Sequence, residues 1–403
     1  DVRVESIAAG GDGVGRVGGM VAFVPRTAPG DLVRARLSSA GRFARGVVEE
    51  VLEPSPARVA PPCPHYERDR CGGCQLQHLA LDAQHEAKRR IVADALARIA
   101  RRPVDVPPPV ASPAPWRYRR KLTLALRRAG GAWIAGLRAH DDPDAVFALE
   151  DCPITDERVV DAWRAVLAHA ELLPRGAREL RGAVRLLDDA SVAFSLEGGE
   201  RWAESDRLFD AVPRVAALWW HPAGGRRRLL HDRRGDGAPG ASFVQVNPGV
   251  AERLADDVVA TVLAHAPETV VDAYAGAGDV AVRLAGDGAR VVAIEWDADA
   301  AAYAAARLPA GSRAEKARVE DALHGAPTAD VAPMNPPRAG LDLAVPAALE
   351  GAPPRAVVYV SCNPATLARD LARLPSFVIR RVQPYDMFPQ TAHVETLVEL
   401  VPA

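Results

Sequence analysis

The 403-residue sequence predicts an α/β protein in three parts, and three observations carry that prediction. From about residue 241, apolar runs of strand length alternate with alanine-rich helical stretches, the rhythm of a parallel sheet covered on both faces. One run ends in a turn with two glycines, Tyr274-Ala275-Gly276-Ala277-Gly278, which opens onto a helical stretch. The first 57 residues instead carry short alternating or β-branched runs broken by glycine, the pattern of a small barrel like the OB-fold.

In chain order, Met20–Val24 and residues 32–37 read as barrel strands joined through the turn Ala28-Pro29-Gly30-Asp31. Pro54, Pro56, Pro61 and Pro62 then stiffen a linker. A helix is expected over about 79–101, from Leu79, Ile91, Ala95, Leu96 and Ile99 at loosely helical spacing. Residues 103–115 are proline-rich, and 116–240 read as a mixed α/β middle domain with a strand at 121–126. Glycines around 235–240 mark a link to the last part, where strands are expected at Thr269–Ala273, Arg290–Glu295, 329–334 and Ala356–Ser361. The expected division is 1–57, 58–240 and 241–403.

Composition narrows the class. Charged residues make up 25 % and hydrophobic ones 48 %, ordinary for a globular protein. No run of 18 apolar residues occurs, so no membrane span is expected. The start, Asp1-Val2-Arg3-Val4-Glu5, lacks the features of a signal peptide, and a cytoplasmic protein is expected. The net charge of −2 argues weakly against a nucleic-acid partner. Yet residues 84–128 hold twelve Lys and Arg against three acids, and Arg226-Arg227-Arg228 with Arg233-Arg234 forms a second basic run. Such patches suit phosphate contact, though a solvated helix face would look the same.

The turn after residue 273 follows a strand and precedes a helix, where glycines let the backbone approach a ligand. Glu295 ends the next strand, placed to accept the ribose hydroxyls of an adenosine. Ala281 stands where a dinucleotide fingerprint has its third glycine. That disfavours NAD and favours S-adenosylmethionine (SAM), which has no pyrophosphate. Asn335-Pro336-Pro337-Arg338 ends another strand and falls on the ligand-binding edge of such a sheet.

Cys362, in Val360-Ser361-Cys362-Asn363-Pro364, lies just past a strand end, where reactive groups are displayed. Carbon 5 of uracil attacks a methyl donor only after a thiolate has added to carbon 6, and a base must later remove the carbon 5 proton. Glu395 is a candidate base, although a glutamate beside a valine is more often a solvated strand face. Cys63, Cys71, Cys74 and the distant Cys152 complete an odd set of five. With no secretion signal, metal or catalytic use is favoured over disulfides. Spacing does not choose between a structural zinc and an iron–sulfur cluster.

Four segments together resemble the RNA uracil-5 methyltransferase family, most closely its 23S ribosomal RNA members. They are SCNPATLARD at 361–370, DMFPQTAHVE at 386–395, FVQVN at 243–247 and NPPRAG at 335–340. The resemblance implies a Rossmann-like SAM domain at 241–403 with Cys362 as nucleophile and Glu395 as base. It implies that Gln245, Tyr274, Asp279, Glu295, Asp321 and Asn335 line the cofactor or uracil site. It implies a [4Fe–4S] cluster on Cys63, Cys71, Cys74 and Cys152, a TRAM RNA-binding barrel at 1–57, and an RNA-facing strand in YRRKLTL at 118–124. The expected form is a monomer acting on 23S ribosomal RNA. Ala275 and Asp279 depart from the family's glycine loop, and Pro333 falls within a predicted central strand, tolerable only near its end. The competing readings are a transfer RNA uridine-5 methyltransferase, a non-catalytic RNA-binding or assembly factor, and an amino-group methyltransferase. The last would need no Cys362 and usually has an aromatic residue where Arg338 stands.

Overall fold

The computed structural model describes residues 1–187, 189–234, 245–323 and 329–403. The expected link at 235–240, and Phe243 and Val244 of the FVQVN segment, lie outside them.

Strands β1 (Val2–Ile7), β2 (Gly13–Val17), β3 (Met20–Val24), β4 (Leu32–Ser39) and β5 (Phe43–Glu53) close into a barrel in the order β1-β2-β3-β5-β4. Val2, Ala22, Val24, Val33 and Ala44 fill it, as inward-facing residues of a small barrel must.

A six-stranded sheet follows: β6 (Lys121–Ala129), β7 (Ala132–Gly136), β8 (Glu179–Leu186), β9 (Val192–Glu197), β10 (Val215–His221) and β11 (Arg228–Asp232), ordered β11-β10-β9-β8-β6-β7. Leu122, Leu124 and Leu126 alternate inward along β6, the period-2 signature of a half-buried strand. They share a core with Trp163 of the helix Glu157–Ala168, whose indole N–H donates to the Leu122 carbonyl.

The last sheet has seven strands: β12 (Thr269–Ala273), β13 (Arg290–Glu295), β14 (Arg313–Lys316), β15 (Val331–Met334), β16 (Ala356–Ser361), β17 (Phe377–Tyr385) and β18 (Glu395–Pro402), ordered β14-β13-β12-β15-β16-β18-β17. The first five are parallel, and β18 inserts antiparallel between β16 and β17. The order reverses between β12 and β15, so the carboxyl ends of those strands flank the crevice where open α/β sheets bind ligands. Pro333 is the next-to-last residue of β15. The Asn335 N–H donates to Ala273 O, so odd-numbered amides of β15 face β12, and Pro333 withdraws one bond from that pair beside the crevice.

One packing relation was not expected. The helix Leu81–Arg98 lies on the C-terminal sheet, with Ala87, Ile91, Val92 and Leu96 in one core with Leu367, Leu371, Phe377, Val398 and Leu400. Its buried stripe, residues 84, 87, 88, 91 and 92, has helical spacing but includes Gln84 and Lys88.

The basic runs are corrected by the same geometry. Lys88 is buried against Asp386, Arg89 and Arg90 both pair with Glu86, Arg102 donates to the Leu374 and Phe377 carbonyls, and Arg117 pairs with Asp151. Arg233 donates to Phe209 O and Val215 O, and Arg227 reaches Asp297. Much of the positive charge counted in the sequence therefore holds the molecule together and does not form a free phosphate-binding face.

Candidate active site and cysteine cavity

At the β12 end the chain turns sharply. Tyr274 adopts φ +61°, a left-handed conformation unusual for a side chain of its size. Gly278 follows at φ +83°, and a Cβ there would stand 2.6 Å from Ala304 Cβ, so only glycine fits. Glu295 braces the loop: one carboxylate oxygen accepts from the Gly276 N–H at 2.9 Å and the other from Asp297 at 2.7 Å. A carboxylate offers about four acceptor sites, so capacity for two ribose hydroxyls is left.

The other expected cofactor residues fall unevenly about this loop. Asp279 begins the helix Asp279–Gly286 and is exposed, paired with Arg307 at 2.7 Å. Gln245 is half-buried, and the neighbouring Val246 O accepts from Arg120 N–H. Asn335 is exposed at the β15 end. Asp321 is exposed on the short helix Val319–Ala322, while burial and the charges of Glu320, Asp342 and Asp370 raise the Tyr274 hydroxyl.

Two residues went unread in the sequence. Trp296, directly after Glu295, is 65 % exposed with the Arg318 guanidinium 5.6 Å from its ring centroid. The residue following a ribose-binding acid was the available signal. Asp272 is 5 % exposed, one of its oxygens has no partner, and burial with the nearby Glu295 and Asp279 charges pushes its carboxyl up to about 7. A buried carboxylate with one oxygen left without a partner, beside a nucleoside crevice, suits the ammonium group of SAM. Binding the cation requires the ionised form. SAM affinity should therefore rise between pH 5.5 and 7.5, by up to about tenfold per unit. Asp272→Asn should bind more weakly and lose that dependence, as isothermal titration calorimetry would read. A wild-type affinity flat across this range would remove Asp272 from the site.

Cys362 follows the last residue of β16 and precedes Asn363, the N-cap of the helix Pro364–Leu371, which accepts from the Ala365 and Thr366 amides. That helix holds the NPPRAG loop. Thr366 Oγ1 donates to Arg338 O, Arg369 to Ala339 O, and the buried Asp370 accepts from Leu341 N–H and the Tyr359 hydroxyl. Gly340, at φ +80°, leaves no room for a Cβ against Asp370. The anchored loop delivers Arg338 to the Cys362 thiol as a hydrogen-bond donor. The charge of Glu395, 2 % exposed at the start of β18, acts on the same thiol. Burial pushes Glu395 up to about 8 against the opposing charge of Arg338. Burial and the Glu395 charge raise the Cys362 thiol, and Arg338 lowers it. His393 is pushed down to about 4 by burial and by Arg338, Lys88 and Arg119, so it is neutral at physiological pH.

Cys63, Cys71, Cys74 and Cys152 line one cavity of about 240 Å³. All four are buried and free. Burial raises each thiol, Cys71 to about 11, and Cys63, Cys71 and Cys74 are each raised further by Cys152. Among the described residues no three His, Cys, Asp or Glu groups are placed to hold one metal ion.

The glycine turn, strand-end carboxylate and switch-point crevice define a Rossmann-like methyltransferase fold. The sequence profile of the tRNA (uracil-5-)-methyltransferase family matches residues 317–402, the stretch that carries the NPPRAG loop, Cys362 and Glu395. An uncharacterized RNA methyltransferase of Thermosynechococcus vestitus is 34 % identical over 98 % of this chain and 96 % of its own. A 23S rRNA (uracil(1939)-C(5))-methyltransferase of Dichelobacter nodosus is 34 % identical over 96 % of this chain and 95 % of its own. The crystal structure of Pyrococcus abyssi tRNA (uracil-54, C5)-methyltransferase with S-adenosyl-L-homocysteine shares the fold, at TM-score 0.70 and 24 % identity, over 99 % of this chain and 98 % of that one. The chain belongs to the RNA (uracil-5-)-methyltransferase family and is an enzyme of that class.

Proposed function

We propose that the protein transfers the methyl group of SAM to carbon 5 of a uridine in 23S ribosomal RNA, with Cys362 as nucleophile and Glu395 as base. The observation that carries this reading is the meeting of a half-buried thiol, an arginine donor and a buried carboxyl at the carboxyl edge of the sheet, beside the glycine loop. The Cys362 thiolate adds to carbon 6, and the displaced π pair becomes an enolate that Arg338 can neutralise. Carbon 5 takes the methyl group, and S-adenosylhomocysteine leaves. Glu395 then removes the carbon 5 proton, the C5=C6 bond re-forms, and the S–C6 bond breaks to return the thiolate. Gln245, Tyr274, Asp279, Glu295 and Asn335 are assigned to the crevice that holds cofactor and uracil. Asp321 is assigned to the same crevice, beside Glu320, one of the carboxylates whose charge reaches Tyr274.

The ribosomal substrate is supported by the Dichelobacter nodosus relative, alike over nearly its full length. A transfer RNA substrate is the second reading, favoured by the description of the matching family profile. Nucleoside mass spectrometry on unmodified ribosomal and transfer RNA pools incubated with the protein and SAM separates them. New 5-methyluridine is expected in the ribosomal pool. Its appearance in the transfer RNA pool alone would overturn the substrate assignment, and its absence from both would overturn the reaction.

The four clustered cysteines fit a [4Fe–4S] group better than a single zinc. Thiolates on one zinc would stand roughly 3.8 Å apart, from a Zn–S bond of about 2.3 Å. In a cubane each thiolate takes a different iron, which suits four cysteines that line a cavity of about 240 Å³ with no three among the described residues placed to hold one ion. Such a group would act structurally, joining the linker cysteines to Cys152, with no iron left open. Protein purified anaerobically should carry about four iron atoms per chain and absorb broadly near the visible–ultraviolet edge, and Cys152→Ser should lose both. One zinc per chain and no iron would exclude the cluster. We assign the barrel at 1–57 as a TRAM-like RNA-binding unit, ahead of units at 58–240 and 241–403 in a cytoplasmic monomer. No described helix is long and apolar enough to cross a membrane.

A further inference from the structure

Lys88 is wholly buried, although a solvated end would suit a lysine better. Its ammonium donates to Asp386 Oδ1 and to Phe388 O, and His85 Nε2 stands 3.0 Å from the other Asp386 oxygen. One turn earlier Gln84 forms a reciprocal pair with Gln390: its Oε1 accepts from the Gln390 amide N–H and its Nε2 donates to Gln390 Oε1, each at 2.9 Å. Gln390 is held at φ +70°, a strained conformation that persists only where its surroundings over-determine it. The same segment is tied from two further places. Leu76 N–H donates to Gln390 O, and the Tyr118 hydroxyl donates to Pro389 O at 3.0 Å. Five residues beyond Gln390, with Ala392 and Val394 buried between, the chain enters β18 at Glu395.

A buried ion pair is weak evidence for stability, since well-packed apolar residues often serve as well. What it supplies is fixed geometry, and here the geometry ends at the base. We propose that Lys88 and Gln84 are positioning residues for Glu395: from the helix Leu81–Arg98 they clamp segment 386–395 and set where the carboxylate stands when the covalent adduct breaks down. The inference rests on the reading of Glu395 as the base. Neither side chain belongs to the crevice, so cofactor binding and thiolate addition do not depend on the clamp, whereas proton removal at carbon 5 does.

The test uses the full chain and whichever unmodified RNA pool it methylates, with Lys88→Met, Gln84→Ala and Glu395→Gln side by side. Lys88→Met should keep its SAM affinity within about twofold and still transfer methyl in the first turnover. Its steady-state turnover should fall at least about tenfold, with a covalent RNA–protein band accumulating on a denaturing gel. Should Lys88→Met not fold, Gln84→Ala, which strands no charge, is read by the same criteria. Normal turnover with no adduct overturns the clamp, as does a parallel loss of SAM binding and first-turnover methylation, the mark of a merely structural role. Glu395→Gln separates the two levels. If it accumulates adduct while the clamp variants behave as wild type, only the clamp fails. If it accumulates none, the base assignment falls and the clamp with it.

Discussion

Cys362→Ala should reduce methylation by at least about four orders of magnitude while SAM affinity stays within about twofold of wild type. The thiol stands one residue before the N-cap of its helix, and its neighbours are Arg338 and Glu395. Its removal takes away the bond to carbon 6 and touches neither the glycine loop nor Glu295. Without that bond, carbon 5 carries no enolate charge, so no other residue on this edge substitutes. Single-turnover methylation with isothermal titration calorimetry reads both halves. Residual methylation within a hundredfold of wild type would mean that carbon 5 is activated without this thiol.

Glu395→Gln acts later and in the opposite sense on the adduct. Addition and methyl transfer remain possible, proton removal does not, and the RNA should stay bound to Cys362 through denaturation. The wild-type pH dependence follows from the same carboxyl. Glu395 sits near 8 in the free protein because of burial, and it serves as a base only when ionised. Turnover should therefore rise with pH through about 8, and the raised Cys362 thiol continues the rise above it. Stability runs the other way. The folded carboxyl titrates above its unfolded value, so its favourable contribution is present at low pH and is lost as pH rises from the ordinary glutamate range through about 8. Glu395→Gln should thus match wild type in melting temperature at pH 4 and exceed it at pH 9. Equal melting temperatures at both pH values would show that Glu395 titrates normally and that burial is not what tunes it.

How much of this was legible depends on what each residue's neighbours are. The strands Thr269–Ala273, Arg290–Glu295 and Ala356–Ser361 were readable to the residue, because parallel strands buried on both faces become uninterrupted apolar runs. β14, with the sequence Arg313-Ala314-Glu315-Lys316, is an edge strand whose polar residues carry no such signal. The antiparallel insertion of β18 was equally invisible, since pairing order is a tertiary property. Cys362 could be found because it is a lone thiol at a strand end, and its spatial pairing with Glu395 came only from the family's motifs. Lys88 shows the opposite failure. Surrounded in sequence by Arg89 and Arg90, it looked like part of a phosphate-binding face, yet its partner, Asp386, lies 298 residues away. Charge counted along a chain says nothing of which charges cancel in space. Trp296 and Asp272 were passed over for a related reason: each is defined by its exposure, and sequence spacing does not report exposure.

The helix that completes the C-terminal sheet is made long before the sheet is. Leu81–Arg98 must wait, with a stripe of Ala87, Ile91, Val92 and Leu96 and an uncompensated Lys88, until Phe377, Asp386 and Val398 have left the ribosome. Growing chains fold in the order in which their parts emerge, and this one holds its closing piece in reserve until the last strands appear. A nascent chain cut short between residues 362 and 395 therefore has the glycine loop and the nucleophile but no base. A reactive thiol is thus matched with its release group only in molecules translated past Glu395.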